Sequence, residues 1–250
     1  MDLREVQVVE LFHVAFLDAL QQRLERGRWI LKGGANLRYF FGSQRYSQDI
    51  DLDFLGDAPW GVREKVGEVI ESPVLSNLLR VKGLSVGESN EHKQSDTTRR
   101  WKIGIAAPGH GELVRTKVEF SSRGADDRFQ AEAIPDQIVA PYALRPPIVQ
   151  HYTIAPATEQ KIAALAGRTQ VQSRDVFDLD LLLRRREPPQ GEIDADLLTK
   201  AAEIALEIPF DAFNDHVLNF LEPDLRDYYD SEERWVQMQT FVAEQLEAAR

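Results

Sequence analysis

The sequence predicts an α+β fold in which a mixed sheet flanked by helices is followed by a helical C-terminal domain. Segments with the short or alternating apolar pattern of strands occur only before Pro156, interspersed with helical segments. From Pro156 onward, the periodic segments have the helical spacing of apolar residues. We therefore expect two domains, with the sheet in residues 1–150 and a helical domain in residues 151–250.

The first part of the chain predicts four elements in order. Apolar residues at helical spacing predict a helix over residues 4–26, which Gly27 ends. Residues 29–31 predict a short buried strand that runs into a glycine pair, and residues 35–41 predict a short helix. Residues 50–55 then predict a strand whose polar positions are acidic.

The rest of the chain continues with helices, strands and then helices alone. Residues 59–70 predict a surface helix, which residues 74–79 extend. An antiparallel sheet is predicted from three stretches, namely 81–87, 100–106 and 113–121. Polar residues 88–98 predict a mobile loop, proline-rich residues 135–147 a connection, and residues 151–154 a short strand. C-terminal helices are predicted at 157–167, 174–186, 194–208, 210–221 and 232–249.

Composition and charge narrow the classes of protein. The formal net charge of −11 argues against a general nucleic-acid coat protein, although a local basic groove remains compatible with it. No stretch approaches 18 uninterrupted apolar residues, so we expect no membrane span. The N-terminus lacks the pattern of a signal peptide and the chain has no cysteine, so a cytoplasmic protein without disulfides is expected.

The most informative segment is the acidic strand, because Asp49, Asp51 and Asp53 occur at a spacing of two within an apolar run. In a strand this spacing puts the three carboxylates on one face, about 6.5–7 Å apart. Like charges this close repel one another unless a cation lies between them. An acidic sheet edge that resists aggregation is the structural alternative. Upstream, Gly33 and Gly34 precede a helix start, where backbone N–H groups can hold an anion. A phosphate cradle beside a metal-binding strand indicates phosphoryl or nucleotidyl transfer.

A third carboxylate is expected from a neighbouring strand. Lys117 and Glu119 share one face of the predicted strand 113–121, with Val118 and Phe120 on the other face. If that strand neighbours the acidic one, Glu119 completes a set of metal-binding oxygens. The alternative is an exposed Lys/Glu face on an edge strand.

Four motifs in order resemble those of a known family. Lys32-Gly-Gly-Ala-Asn36 followed by Arg45-x-Ser47-x-Asp49-Ile-Asp51-Leu is similar to the first signature of the DNA polymerase β-like nucleotidyltransferases. Within that superfamily the chain resembles the AbiEii toxin family, the toxin half of type IV toxin–antitoxin systems. Three further motifs resemble those of this family, namely Lys117-x-Glu119, Glu159-Gln-Lys161-Ile-Ala-Ala-Leu165 and Arg174-Asp175-Val-Phe-Asp178-Leu. The resemblance runs from about residue 33 to residue 183.

The resemblance implies a role for each residue of the first two motifs. Asp49, Asp51 and Glu119 would coordinate Mg²⁺ or Mn²⁺, although the extra acid Asp53 leaves Asp51/Asp53 open as the aspartate pair. The backbone at Gly33 and Gly34 would lie against the nucleotide phosphates. Arg45 and Ser47 would contact triphosphate oxygens, the arginine with two nitrogens.

The later motifs carry implied roles as well. Lys161 would neutralise a phosphate, and Asp175, held by Arg174, would act as a base or an orienting group. Asp178 lies one helical turn further on and could exchange roles with Asp175. The structural alternatives are a solvated helix lysine at Lys161 and a plain i,i+4 pair between Arg174 and Asp178.

The reaction that the resemblance implies is transfer of NMP from an NTP to an RNA hydroxyl, at a tRNA 3′ end, in a cleft completed by the helical domain. It also implies a cognate antitoxin. Transfer to a small molecule or protein hydroxyl, or nucleotide binding without catalysis, are the alternatives. A basic surface near the acidic strand would favour RNA, with Trp101 stacking a base. Its residues are Arg80, Lys82, Arg99, Arg100, Lys102, Arg115, Lys117 and Arg123. An ordinary polar sheet face is equally compatible with them.

Overall fold

Two compact units, each with its own hydrophobic core, make up the chain in a computed structural model. The structure describes residues 3–25, 27–55, 59–95, 97–122, 127–185 and 193–250. The first unit comprises Met1–Gly42 and Tyr46–Tyr152, and the second comprises Ser43–Arg45 and Thr153–Arg250. The units divide after Tyr152, two residues beyond the predicted boundary, and the short segment Ser43–Arg45 joins the second unit.

The first unit is built on a mixed sheet of seven strands. They are β1 (Trp29–Lys32), β2 (Ile50–Phe54), β3 (Ser85–Gln94), β4 (Thr98–Ala106), β5 (Val114–Ser121), β6 (Phe129–Ala133) and β7 (Ile148–Tyr152). Their order across the sheet is β3-β4-β5-β2-β1-β7-β6. The β2–β5 and β1–β7 pairs are parallel, whereas the other four pairs are antiparallel. The acidic strand β2 therefore lies inside the sheet, between β1 and β5.

Helices accompany this sheet. They are α1 (Glu5–Leu20), α2 (Gly33–Phe40), α3 (Pro59–Ile70), α4 (Pro73–Arg80) and the short α5 (Asp136–Val139). Residues 8–17 of α1 are buried without interruption, as expected for a helix that is apolar on most sides. The predicted extension of α3 is instead the separate helix α4. Ser72 caps it by accepting a hydrogen bond from the Leu75 amide at 3.1 Å, and Pro73 occupies its first turn.

The passage from β1 to α2 contains no loop. Lys32 has an extended backbone, and Gly33 follows with a φ of +67°, a value that glycine adopts without a steric penalty. The helix thus begins two residues earlier than predicted, because the glycine pair forms its first turn. This turn brings the backbone of Gly33 against the acidic strand.

The predicted loop at residues 88–98 is wrong, since β3 runs through most of this range and pairs with β4. β3 is the edge strand of the sheet, and most of its described side chains are exposed or half-buried. Backbone hydrogen bonds hold an edge strand in the sheet, so its side chains can be polar. The polar composition of residues 88–98 therefore resembled that of a loop. The strand β6 was also not predicted, and α5 with a 3-10 turn at Ala140–Tyr142 lies within the predicted connection.

The second unit is helical, as predicted. Its helices are α6 (Ile154–Gly167), α7 (Ser173–Leu183), α8 (Ala195–Glu207), α9 (Phe210–His216), α10 (Pro223–Tyr229) and α11 (Glu232–Ala248), with a 3-10 turn at Leu218–Phe220. The predicted helix end at Arg186 lies outside the described residues. Within the described ranges, none of the helices has the length and apolar character needed to cross a membrane.

Candidate active site

The carboxylates of β2 and β5 stand side by side on one face of the sheet. Asp51 is the register partner of Glu119 in parallel β5 and of Lys32 in antiparallel β1. The neighbours Leu52 and Phe120 point to the buried face. The expected proximity of Asp51 and Glu119 is therefore present.

Two cations lie on the outer carboxylates of this set. Lys117 Nζ donates to Asp49 Oδ2 at 2.9 Å, and Arg100 Nε donates to Glu119 Oε2 at 2.6 Å. Arg100 is the register partner of Glu119 in antiparallel β4. These four side chains are between 22% and 43% exposed, so both ion pairs face solvent. Positive charge from Arg100 on β4 and Lys117 on β5 therefore lies beside the acidic side chains.

Asp53 has a different environment, although it lies on the same strand face. Its carboxylate is 4% exposed and accepts hydrogen bonds from Lys32 Nζ at 2.5 Å, Ser121 Oγ at 2.5 Å and Tyr152 Oη at 2.8 Å. The buried Ser121 and Tyr152 and the half-buried Lys32 thus use most of the acceptor capacity of this carboxylate. Lys32 and Tyr152 were not recognised as its partners from the sequence, because they lie 21 and 99 residues away from it.

The glycine turn closes one side of the acidic face. A Cβ atom on Gly33 would lie 2.8 Å from Asp51 Oδ2, closer than two non-bonded atoms can approach. Only a glycine therefore allows the helix start to lie against this carboxylate. Ser47 lies just before the acidic strand, and its hydroxyl donates to the Asp49 carbonyl oxygen at 2.8 Å. This bond fixes the turn that presents the first aspartate.

The donor chemistry of this face fits a divalent metal ion. Carboxylate oxygens are the ligands that Mg²⁺ and Mn²⁺ prefer, and the cradle under Gly33 is one that any larger side chain would fill. In the part of the chain that the structure describes, no three acidic or histidine side chains are gathered closely enough to hold a metal ion. The two outer carboxylates are engaged by Lys117 and Arg100 instead.

The remaining candidate residues form a buried charge network inside the second unit. Lys161 Nζ lies 3.0 Å from Asp175 Oδ1 and 2.7 Å from Asp178 Oδ2. Arg45 Nη2 donates to both oxygens of Asp178, at 3.2 and 3.0 Å, and Arg168 Nε donates to Asp175 Oδ2 at 2.7 Å. Both aspartates are fully buried, and Arg45 is only 3% exposed. Three cations thus surround two carboxylates.

Nearby positive charges lower the pKa of Asp178. Burial alone would raise the pKa of Asp178, but the charges and hydrogen bonds of Arg45 and Lys161 outweigh it and hold the pKa below its ordinary value. Arg174 was the partner expected for Asp175, and the structure adds Lys161 and Arg168 as partners of this carboxylate. Arg168 directly follows the end of α6 and lies seven residues before Asp175 of α7, so no spacing within one helix could indicate the pair.

Comparison with known proteins identifies the family. The family model described as "Nucleotidyl transferase AbiEii toxin, Type IV TA system" matches residues 15–248. The chain belongs to this family of nucleotidyltransferase toxins. It is therefore a nucleotidyltransferase, and its type IV system implies an antitoxin and an NTP substrate. No curated protein matches the chain.

Solved structures share its fold. JHP933 from Helicobacter pylori has a TM-score of 0.62 and 17% identity, over 99% of this chain and 94% of that one. MenT4, a nucleotidyltransferase toxin from Mycobacterium tuberculosis H37Rv, has a TM-score of 0.56 and 18% identity, over 97% of this chain and 84% of that one. The predicted fold class is thus confirmed.

The predicted basic surface is smaller than the sequence suggested. Trp101 is 2% exposed and packs edge-on against Phe120 in the core, so its predicted base stacking is wrong. Arg99 is also buried, and Arg80 and Lys82 lie on α4 and the turn that follows it. Arg123 lies outside the described residues. The alternation Trp101, Ile103, Ile105 already marked this side of β4 as apolar.

What remains of the surface lies on the same sheet face as the carboxylates. It consists of Arg100 and Lys102 on β4 and Arg115 and Lys117 on β5. Lys102 and Lys117 are direct register partners, an arrangement of like charges that is unfavourable without an anion nearby. The positive charge of Lys102 is the main cause that lowers the pKa of His92 on β3, with smaller contributions from burial, Arg100 and Lys117. We refer to Arg100, Lys102, Arg115 and Lys117 together as the basic face.

Proposed function

We propose that this enzyme transfers NMP from an NTP to an RNA hydroxyl, at a tRNA 3′ end, in a metal-dependent reaction. The observation that carries the proposal is the pair of neighbouring carboxylates Asp51 and Glu119, with Asp49 directly before β2 and the Gly33 backbone against Asp51. Nucleotidyl transfer needs negatively charged oxygens beside a place for phosphate, and this sheet face provides both.

Asp49, Asp51 and Glu119 would hold Mg²⁺ or Mn²⁺. When bound, the metal supplies positive charge that stabilises the triphosphate during displacement of pyrophosphate. Asp53 is a poor candidate for the pair, because its buried carboxylate would have to give up three hydrogen bonds. Gly33 and Gly34 would present backbone N–H groups to the phosphates from the first turn of α2. Ser47 would act here by fixing the turn before Asp49.

The burial and ion pairs of Asp175 limit the role that it can have in the reaction. A base must reach the substrate, whereas Asp175 is fully buried and already binds two cations. Of the two roles expected for Asp175, the geometry favours the orienting one, with Lys161 as the group it orients. Arg45, Lys161 and Arg168 carry three positive charges against the two negative charges of Asp175 and Asp178. This positive charge would attract a phosphate, and phosphate binding is the role implied for Lys161 and Arg45.

RNA is the acceptor that the basic face favours. Lys102 and Arg115 are exposed on the sheet face that carries the carboxylates, and cations in that position would bind a phosphate backbone despite the overall charge of −11. A tRNA 3′ end is a flexible single strand whose terminal hydroxyl can approach the metal-binding side chains. A small cationic acceptor would be repelled by the same surface.

The test is incubation of the protein with each α-labelled NTP, Mg²⁺ and total RNA, followed by separation of RNA, protein and small molecules. Label on tRNA is expected. Label on protein or a small acceptor would replace RNA as the substrate, and nucleotide binding without transfer would overturn catalysis. Asp49→Asn is expected to abolish the label, whereas Asp227→Asn, at an exposed acid on α10, keeps it.

A further inference from the structure

The carboxylates of the acidic face are neutralised in two different ways. Asp53 is held by a lysine, a serine and a tyrosine, and its carboxylate is almost fully buried. Asp49 and Glu119 are instead paired with Lys117 and Arg100, whose side chains are 43% and 30% exposed. The carboxylate of Asp53 is thus enclosed in the protein, whereas the ion pairs of Asp49 and Glu119 are partly exposed to solvent.

An open pair of this kind can be broken at little cost. Solvent-exposed ion pairs contribute little free energy, because water and salt screen their attraction and the long side chains lose freedom when they are held. Lysine and arginine also have flexible stems that allow the charged group to move by several ångströms without moving the strand. Lys117 and Arg100 can therefore leave their carboxylates while β4 and β5 stay in register.

The three carboxylates repel one another when no counter-charge is present. Asp49 lies directly before β2, two residues from Asp51, and Glu119 is the register partner of Asp51. Without metal, Lys117 and Arg100 supply compensating charge to Asp49 and Glu119.

We infer that Lys117 and Arg100 are exchangeable counterions, which neutralise Asp49 and Glu119 before metal binds and release them when it binds. This inference rests on the proposed function, since it takes these carboxylates as the metal ligands. The two cations compete with the metal, so they weaken its binding in the absence of nucleotide. After release they remain on the sheet face where the triphosphate is expected, so metal and nucleotide would bind together more readily than metal alone.

The inference is tested by titrating the full chain with Mn²⁺ alone and following the paramagnetic resonance signal of free Mn²⁺. Lys117→Gln and Arg100→Gln are each expected to bind Mn²⁺ about two- to fivefold more tightly than the unmodified protein. The matched control is Lys102→Gln, which removes the same charge from the register partner of Lys117. It is expected to shift the affinity less than either of the other variants. Lys117→Arg, which keeps the charge, should stay close to the unmodified protein.

Thermal unfolding gives a second measurement. Without metal, Lys117→Gln leaves Asp49 without this partner and should melt at a lower temperature, and Mn²⁺ should raise its melting temperature by more than it raises that of the unmodified protein. Unchanged or weaker Mn²⁺ affinity in both glutamine variants, or a shift no larger than that of Lys102→Gln, would overturn the inference.

A failure of the proposed metal site gives a different result from a failure of the counterion inference. If Asp49→Asn and Glu119→Gln bind Mn²⁺ as well as the unmodified protein, the carboxylates are not the ligands and the proposed function fails as well. If these two variants lose Mn²⁺ binding while Lys117→Gln and Arg100→Gln do not gain it, only the counterion inference fails.

Discussion

The acidic sheet face and the charge network of the helical unit use the same kinds of side chain under opposite conditions. On the sheet face, the ion pairs of Asp49 and Glu119 are open to solvent, with exposures of 22–43%. In the helical unit, Asp175 and Asp178 are fully buried among Arg45, Lys161 and Arg168. The comparison shows that exposure, and not the identity of the charges, decides whether an ion pair can be exchanged or must be kept.

The physical reason is the cost of desolvation. A buried carboxylate that loses its cation remains uncompensated in a medium of low polarity, at a cost of about 3–5 kcal/mol. An exposed carboxylate is rehydrated at once, so its loss of partner costs about 1 kcal/mol or less. The ion pairs on the sheet face can therefore be broken at lower cost than those of the helical network.

The sharpest contrast is expected between two aspartates of one strand. Asp51→Asn should reduce nucleotidyl transfer by about a thousandfold or more with little loss of stability, because a proposed metal ligand is removed from the sheet face. Asp53→Asn should instead lower the free energy of unfolding by about 2 kcal/mol, because its buried partners lose a charged acceptor. Mn²⁺ affinity and urea unfolding of both variants check this. Loss of Mn²⁺ binding in a folded Asp53→Asn protein would reverse the assignment.

The second prediction concerns two aspartates of α7. Asp178→Asn should lower the free energy of unfolding by about 3 kcal/mol, because Arg45 and Lys161 keep their charges in a buried site. Asp180→Asn, whose partner Arg184 is 55% exposed, should cost about 0.5 kcal/mol or less. Urea unfolding measures both. Equal effects would mean that burial does not distinguish these pairs.

Acid should affect the two units in different pH ranges. Burial lowers the pKa of His13 in the first unit to about 3, from an ordinary value of 6.5. The unfolded chain therefore binds a proton that the folded chain excludes, and stability falls as the pH drops below 6.5, by about 2 kcal/mol at pH 5. The pKa of Asp178 is depressed by its cations, so its contribution is lost only as the pH falls below 3.8.

Urea unfolding between pH 7 and pH 5 measures this difference. His13→Gln should remove about half of the pH dependence in that range, because burial also lowers the pKa of His151, to about 4. Asp178→Asn should leave the slope unchanged. An unchanged slope in His13→Gln would assign the effect to other groups.

The smallest expected effect is at the glycine turn. Gly33→Ala should lower the free energy of unfolding by about 1–2 kcal/mol. Alanine would have to adopt the left-handed backbone that glycine has here, and its methyl group would displace the Asp51 carboxylate. Weaker Mn²⁺ binding should accompany the loss. Gly67→Ala in α3, where a Cβ meets nothing within 4 Å, should instead stabilise the protein by about 0.5–1 kcal/mol. If both variants gain stability, the close approach at Gly33 is not limiting.

Several features of the site followed from local pattern. The spacing of Asp49, Asp51 and Asp53 predicted a strand with one acidic face, and the alternation around Lys117 and Glu119 placed these two on a common face. Strand geometry has a period of two, so it can be read from adjacent letters. The order of elements likewise predicted a sheet-containing part followed by helices.

Other features depend on contacts between residues that are far apart in the sequence. Only the tertiary structure decided that Asp53 is enclosed by Lys32, Ser121 and Tyr152, and that Arg45 pairs with Asp178, 133 residues away. Local spacing carries no information about which distant charge will compensate a buried one. The sequence by itself determined which side chains share a strand face. The packing of the strands and helices decided which of those charges stay open to solvent, because burial is a property of the assembled unit.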